Sequence, residues 1–126
     1  MTNVELKNRT KKFAIDTILF VQDLPKSKTH DVVSYQLLKS ATSVGANYRS
    51  ACRARSTAEF ISKLNIVIEE ADESMYWFEI LEEVSNGIDK AHLKKLHKES
   101  DELTAIFTAS SKTIKLNNPK FTNQNS

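Results

Sequence analysis

Apolar residues recur along most of the chain at the spacing of an α-helix rather than with the alternation of a β-strand. In the first segment Leu6, Phe13 and Phe20 follow one another at intervals of seven, and Leu24 comes four residues later. Residues at such intervals share one face of a helix. Pro25 disfavours helical geometry in the residue before it, so the pattern predicts a first helix over about residues 4–24.

The next two segments carry stripes of the same kind. In the second, predicted over about residues 29–54, the apolar face consists of Val33, Leu37, Ala41, Val44, Tyr48 and Ala51. The third, over about 57–85, begins with Ser56 and Glu59 at the spacing of a capping box, in which each side chain bonds the backbone of the other. Its core face is predicted to be Phe60, Leu64, Val67, Ala71, Met75 and Phe78.

A fourth helix is predicted over about residues 89–116, where Leu96 and Leu103 alternate with Leu93 and Phe107 in heptad spacing. The polar residues 117–126 lack periodicity and are predicted to form a disordered tail. Four long helices with short connections, in a chain of 126 residues, predict an all-α single domain. The economical arrangement is an antiparallel up-down-up-down four-helix bundle.

The third helix has more apolar surface than one core stripe requires. At about 100° per residue, a second cluster lies beside the core face. It consists of Ile66, Trp77, Ile80 and Val84. One interpretation is a wide core face that touches two neighbouring helices. The other is an oligomer interface anchored by Trp77, since exposed aromatic patches mark such surfaces.

Charge changes the picture because it is segregated along the chain. Residues 1–58 carry ten Lys/Arg and four Asp/Glu, whereas residues 59–87 carry one Lys and eight acids. On the second helix, Lys39, Arg49 and Arg53 lie opposite Leu37, and Arg55 follows at its end. This stripe predicts a phosphate-binding surface, because an Arg fork suits phosphate. The alternative is a solvated face on which Arg49 or Arg53 pairs with acids of the third helix: Glu69, Glu70 or Glu73.

Signals for catalysis and metal binding are poor. His92 and His97 are five residues apart and diverge on a helix, and no Glu-x-x-His pattern accompanies the acids of the third helix. Glycine-rich phosphate loops and nucleophile motifs are absent from the sequence, so we expect neither an enzyme, a metal nor a cofactor. The lone Cys52, and the lack of a signal peptide or a membrane-length apolar run, favour a cytoplasmic protein with no membrane association.

Two stretches of the chain also suggest a family. The pattern QL-x-x-SA-x-S-x-x-x-N starts at Gln36, and RS-x-x-EF spans residues 55–60. With RTKKFA near the start and Leu24-Pro25 at the first turn, residues 9–84 resemble the 23S rRNA intervening sequence proteins, also called the S23 family. That resemblance implies a four-helix bundle that assembles as a homopentamer with a central channel. The family has no established catalytic site, so the resemblance assigns no catalytic residue to this chain.

A more distant branch of the same family serves diversity-generating retroelements, in which a pentamer binds a reverse transcriptase and nucleic acid. Our functional hypothesis is therefore a non-enzymatic homo-oligomer, a pentamer by resemblance, that binds RNA or DNA through Lys39, Arg49, Arg53 and Arg55. The alternative is a scaffolding oligomer whose partner is another protein, such as a reverse transcriptase.

Overall fold

The computed structural model describes residues 1–118, which form four α-helices and no strand. The helices are α1 (Asn3–Gln22), α2 (Lys28–Cys52), α3 (Thr57–Val84) and α4 (Lys90–Leu116). The prediction of an all-helical chain with four helices is thus confirmed. The predicted disordered tail lies outside the described residues, apart from Asn117 and Asn118 at its start.

Side chains at the N-termini explain where the helices begin. Thr2 and Glu5 form a complete capping box at α1, which the sequence analysis did not identify. At α3 only half of the predicted box is present: the Glu59 N–H donates to Ser56 Oγ at 3.1 Å. The Glu59 carboxylate instead lies 3.6 Å from the Arg55 guanidinium. After α3, Gly87 has a φ of 71°, a left-handed conformation in which glycine is strongly favoured.

The core is one continuous apolar cluster to which all four helices contribute. Phe13 and Phe20 of α1 pack edge-on against Phe78 of α3, with ring centroids 6.3 and 6.2 Å apart. At the other end Tyr48 lies against Phe107, with ring centroids 4.9 Å apart. Offset and edge-on ring pairs of this kind add to the stabilisation that burial alone provides.

The buried face of α3 differs in part from the predicted stripe. Leu64, Val67, Ala71 and Phe78 are fully buried as predicted, whereas Phe60 and Met75 are only half-buried. Their places are taken by Ile61, Ser74 and Leu81. Intervals of seven connect 64, 71 and 78, and likewise 67, 74 and 81, so the core follows the heptad lines of supercoiled helices.

A polar residue occupies one of these core positions because it has a partner across the helix pair. Ser74 Oγ donates to Ser40 Oγ of α2 at 2.9 Å and lies 2.8 Å from the Glu70 carbonyl. Within residues 1–118, no buried side-chain nitrogen or oxygen lacks a hydrogen-bond partner. Satisfied in this way, the serine pair costs little and fixes the register of α2 against α3.

Each helix packs against its neighbours in sequence, and α1 also meets α4, so the four helices surround the core in chain order. The α1–α4 contact is the smallest of the four and includes a charged clamp. The Arg9 guanidinium donates to both carboxylate oxygens of Glu99, at 2.8 and 2.6 Å, and to Glu102 at 3.1 Å. Within the described part of the chain, no helix is both long enough and apolar enough to cross a membrane.

Candidate nucleic-acid interface

Cationic side chains line a groove of about 470 Å³ between α1 and α2. Two are lysines of α1, one is an arginine of α2, and the fourth is the arginine that caps the C-terminus of α2. They are Lys7, Lys11, Arg49 and Arg53. On each helix the two cations are four residues apart, and such residues lie about 6 Å apart along the axis on one face. The groove therefore has a pair of positive charges on each wall.

Small residues make the groove possible. Its remaining lining consists of Asn8, Ala14, Thr42, Gly45 and Ala46. At Gly45 the backbone of α2 comes close to that of α1. A Cβ at this position would lie 3.3 Å from the backbone carbon and oxygen of Thr10. Gly45 lies outside the apolar stripe predicted for the second helix. Its role in the structure is to let the two helix backbones come together beneath the cations.

The four cations are exposed, and none of them forms an ion pair with any residue of the described chain. The acid nearest in sequence, Glu5, accepts a hydrogen bond from the backbone N–H of Thr2 at 2.9 Å instead. The alternative that Arg49 or Arg53 pairs with acids of the third helix is therefore wrong. Because like charges share the groove without internal neutralisation, it attracts anions.

The other two residues of the predicted basic stripe lie elsewhere. Lys39 is close enough to α3 that its charge acts on the Glu70 carboxyl. Arg55 follows α2, with its side chain 90% exposed and its guanidinium 3.6 Å from Glu59. The structure thus brings together only Arg49 and Arg53 of the predicted set. Lys7 and Lys11 of α1, which complete the site, entered the sequence analysis only within the total of ten Lys/Arg in residues 1–58.

The acids of α3 belong to the other side of α2. Burial raises the pKa of Glu70, and the neighbouring Glu73 and Glu69 raise it further, while Lys39 acts in the opposite direction. Lys39 is thus a cation that acts on Glu70, although the two form no ion pair. Among residues 1–118, no acid lines the groove between α1 and α2.

In the structure, the second apolar cluster of α3 is partly buried against the core and partly exposed to solvent. Trp77 and Ile80 are half-buried and pack against the core cluster. Ile66 is also half-buried, while Val84 is 54% exposed. Beside Trp77, the exposed ring of Tyr76 packs edge-on at a centroid distance of 5.0 Å. This surface therefore contributes to the core and leaves an apolar edge open to solvent.

Metal ligands do not converge in the part of the chain that the structure describes: no group of three or more His, Cys, Asp or Glu side chains is placed to hold an ion there. His97 Nε2 lies 2.9 Å from Glu79, which joins α4 to α3. His30 Nε2 lies 2.9 Å from Ser85 Oγ, which joins the start of α2 to the end of α3. These two histidines connect helices within the fold.

An all-helical fold of four helices with a cationic groove on one side defines a class of small helical proteins rather than a single activity. The comparisons with known proteins are more specific. The family model of the 23S rRNA-intervening sequence protein matches residues 2–109. The chain belongs to this family, as the sequence resemblance suggested.

One solved structure similar to this chain is a protein of unknown function from the S23 ribosomal protein family of Bacteroides thetaiotaomicron. It shares 33% sequence identity, with a TM-score of 0.79, over 89% of this chain and 99% of that chain. No curated protein matches the chain.

Proposed function

We propose that the protein is a non-enzymatic, homo-oligomeric helical bundle that binds the phosphate backbone of nucleic acid in the α1–α2 groove. The observation that supports this proposal best is the convergence of Lys7, Lys11, Arg49 and Arg53 on one groove without acidic partners. Contacts of this kind give affinity without sequence readout, because phosphates carry no base information. The family name associates relatives with 23S rRNA and is consistent with an RNA ligand.

The magnitude expected of one groove is modest. If each of the four cations neutralises one phosphate of a single strand, the logarithm of the binding constant falls with the logarithm of salt at a slope of about −3. A fourfold rise in salt then costs roughly 50-fold in affinity. Linked copies of the groove on one oligomer raise the overall affinity through effective concentration.

Assembly is the second part of the proposal. The resemblance to the family implies five copies and an up-down-up-down course of the helices, which the short connections between consecutive helices support. The open apolar edge of α3, with Trp77, Ile80 and Val84, is the surface we assign to the contact between copies. Aromatic side chains in a partly exposed apolar patch are typical of such contacts.

The test is a titration of labelled RNA and DNA with the wild type and a groove variant in which the four cations are changed to Gln: Lys7, Lys11, Arg49 and Arg53. We expect the variant to lose both affinity at about 50 mM salt and most of the salt dependence up to about 200 mM. The matched control removes the same number of charges from α4, through Gln at Lys94, Lys95, Lys98 and Lys112. Equal losses in the two variants would mean that net charge, rather than the groove, is responsible.

The alternative, a scaffold for a protein partner, draws its support from the exposed Tyr76 and Val84 on α3. If the wild type binds neither RNA nor DNA at about 50 mM salt, where phosphate contacts are strong, the nucleic-acid proposal fails and the scaffold becomes the better hypothesis.

A further inference from the structure

The basic groove continues along the same face of the bundle into an exposed apolar patch. Tyr35, Thr42 and Arg49 are spaced by seven residues along α2, and Thr42 and Arg49 both line the groove. Lys11 and Ile18 are spaced by seven along α1, and Lys11 lines the groove as well. In packed helices residues seven apart lie on one line. Tyr35, 65% exposed, and Ile18 therefore extend the two walls of the groove.

We infer that this face takes a single-stranded nucleic acid, with its phosphates in the groove and a base stacked on the ring of Tyr35. The inference rests on the proposed function and adds to it the class of ligand and a base-contacting residue. A positively charged groove beside an exposed aromatic ring is the combination by which proteins bind single strands without sequence preference. Exposed aliphatic residues lie about one helical turn from this line on each helix, Ile15 from Ile18 on α1 and Val32 from Tyr35 on α2, and extend the apolar surface available to bases.

The dimensions fit a short strand. From Tyr35 to Arg49 is fourteen residues of helix, or about 21 Å along the axis. At about 3.4 Å per nucleotide, that length spans roughly six nucleotides of a stacked strand, and fewer of an extended one. Site sizes from about four nucleotides upwards are usual for compact single-strand binders.

Two features favour a single strand over a duplex. The faces of the bases are hidden inside a duplex, so Tyr35 and Ile18 have nothing to stack on there, whereas an unpaired base exposes its face. Between the cations the groove is lined by the small residues Ala14, Gly45 and Ala46, which leave room for a single backbone. A duplex contacts only the outer edges of the groove, so its phosphates meet the cations while its bases contact neither Tyr35 nor Ile18.

A second copy of this chain is the competing occupant, because α3 is acidic and carries apolar residues. An α-helix can lie along the groove between two packed helices, so the competing occupant is distinguished by the oligomer mass measured below. A strand of nucleotides carries one negative charge per nucleotide in its backbone, which matches the four cations that converge on the groove. The charge of the face thus favours nucleic acid as its occupant.

The experiment measures fluorescence anisotropy of labelled twelve-nucleotide single strands, RNA and DNA, against a blunt-ended duplex that has no unpaired bases. The variants are Tyr35→Ala and Tyr35→Phe, with Tyr76→Ala as the control, since Tyr76 is a similarly exposed tyrosine on α3. We expect Tyr35→Ala to lose roughly tenfold or more in affinity for single strands and nothing for the duplex. Tyr35→Phe and Tyr76→Ala should both behave as the wild type does.

The outcomes separate this inference from the proposed function. If single strands and duplex bind equally and Tyr35→Ala changes neither, the inference is overturned while the phosphate-binding groove stands. If no nucleic acid binds the wild type, both fall. If Tyr35→Ala leaves binding intact but lowers the mass of the oligomer in light scattering, the patch belongs to a contact between copies and the inference is overturned. A selective loss on single strands with unchanged mass supports it.

Discussion

Substitution of Gly45 tests how tightly α1 and α2 are packed beneath the groove. In Gly45→Ala, two effects oppose each other. Alanine is the better helix former by about 1 kcal/mol. Its Cβ, however, would lie 3.3 Å from the carbonyl carbon and oxygen of Thr10, closer than ordinary van der Waals contact, and these are backbone atoms. The Thr10 side chain cannot move aside freely, because its hydroxyl donates to the Leu6 carbonyl at 2.8 Å and is fully buried.

Relief of this contact requires α1 to move by a few tenths of an ångström. Overpacking of this kind typically costs about 1–3 kcal/mol. Set against the propensity gain of about 1 kcal/mol, this strain predicts that the free energy of unfolding of Gly45→Ala lies between that of the wild type and about 2 kcal/mol below it. In Gly45→Val the two added methyl groups meet the same backbone, and we expect a loss of about 2–3 kcal/mol.

The assay is urea unfolding followed by circular dichroism, at one protein concentration because an oligomer's stability depends on it. Ala46→Gly is the matched control: Ala46 is the next residue, is exposed, and should lose about 1 kcal/mol through helix propensity alone. If Gly45→Ala gains as much as Ala46→Gly loses, α1 yields without cost and the tight contact is refuted. Wild-type stability in Gly45→Val would refute it as well.

Two further predictions concern α3. Because burial and the neighbouring acids raise the pKa of Glu70, its ionisation opposes folding; this penalty is absent below the ordinary carboxyl pKa and develops as pH rises through the raised value. Glu70→Gln should thus raise Tm relative to the wild type at pH 7.5 but not at pH 4. The control is Glu83→Gln, since Glu83 is an exposed acid of α3 that does not act on Glu70, and an equal rise at both pH values would contradict this reasoning. If the apolar edge of α3 joins copies, light scattering of the wild type should give a mass well above 14.3 kDa, and both Trp77→Ala and the surface change Val84→Asp should lower it. A monomeric wild type would exclude this interface, and the unchanged circular dichroism of Val84→Asp would show that the fold is intact.

Much of the fold follows from the sequence because the apolar residues repeat at helical intervals over long segments. The limits of the prediction are local. Phe60 and Met75 fit a stripe at 3.6-residue spacing, but the buried positions repeat every seven residues, so the lines through Leu64 and Val67 face the core instead. Ser74 could not be recognised as a core residue, because its burial depends on Ser40 of another helix.

The candidate site was only half predictable for a related reason. A helical wheel places Arg49 and Arg53 on the outside of α2, but it does not show which neighbouring helix they lie beside. That is decided by the close approach of Gly45 to Thr10, which brings Lys7 and Lys11 of α1 into the same groove. One signal was available in the sequence: two pairs of cations at i,i+4 spacing, on two consecutive helices.

From the sequence alone, the segregation of charge along the chain allowed two opposite interpretations. If the acids of α3 faced the same solvent as the arginines of α2, their fields would cancel and no anion would bind. The structure separates them around α2: Lys39 acts on Glu70 at the α3 side, while Arg49 and Arg53 line a groove with the lysines of α1. No acid of α3 lines the groove, and exposed charges farther apart than about 8 Å are largely screened at physiological ionic strength. A chain of nearly balanced net charge, +2 in total, can therefore present a locally cationic surface to a phosphate backbone.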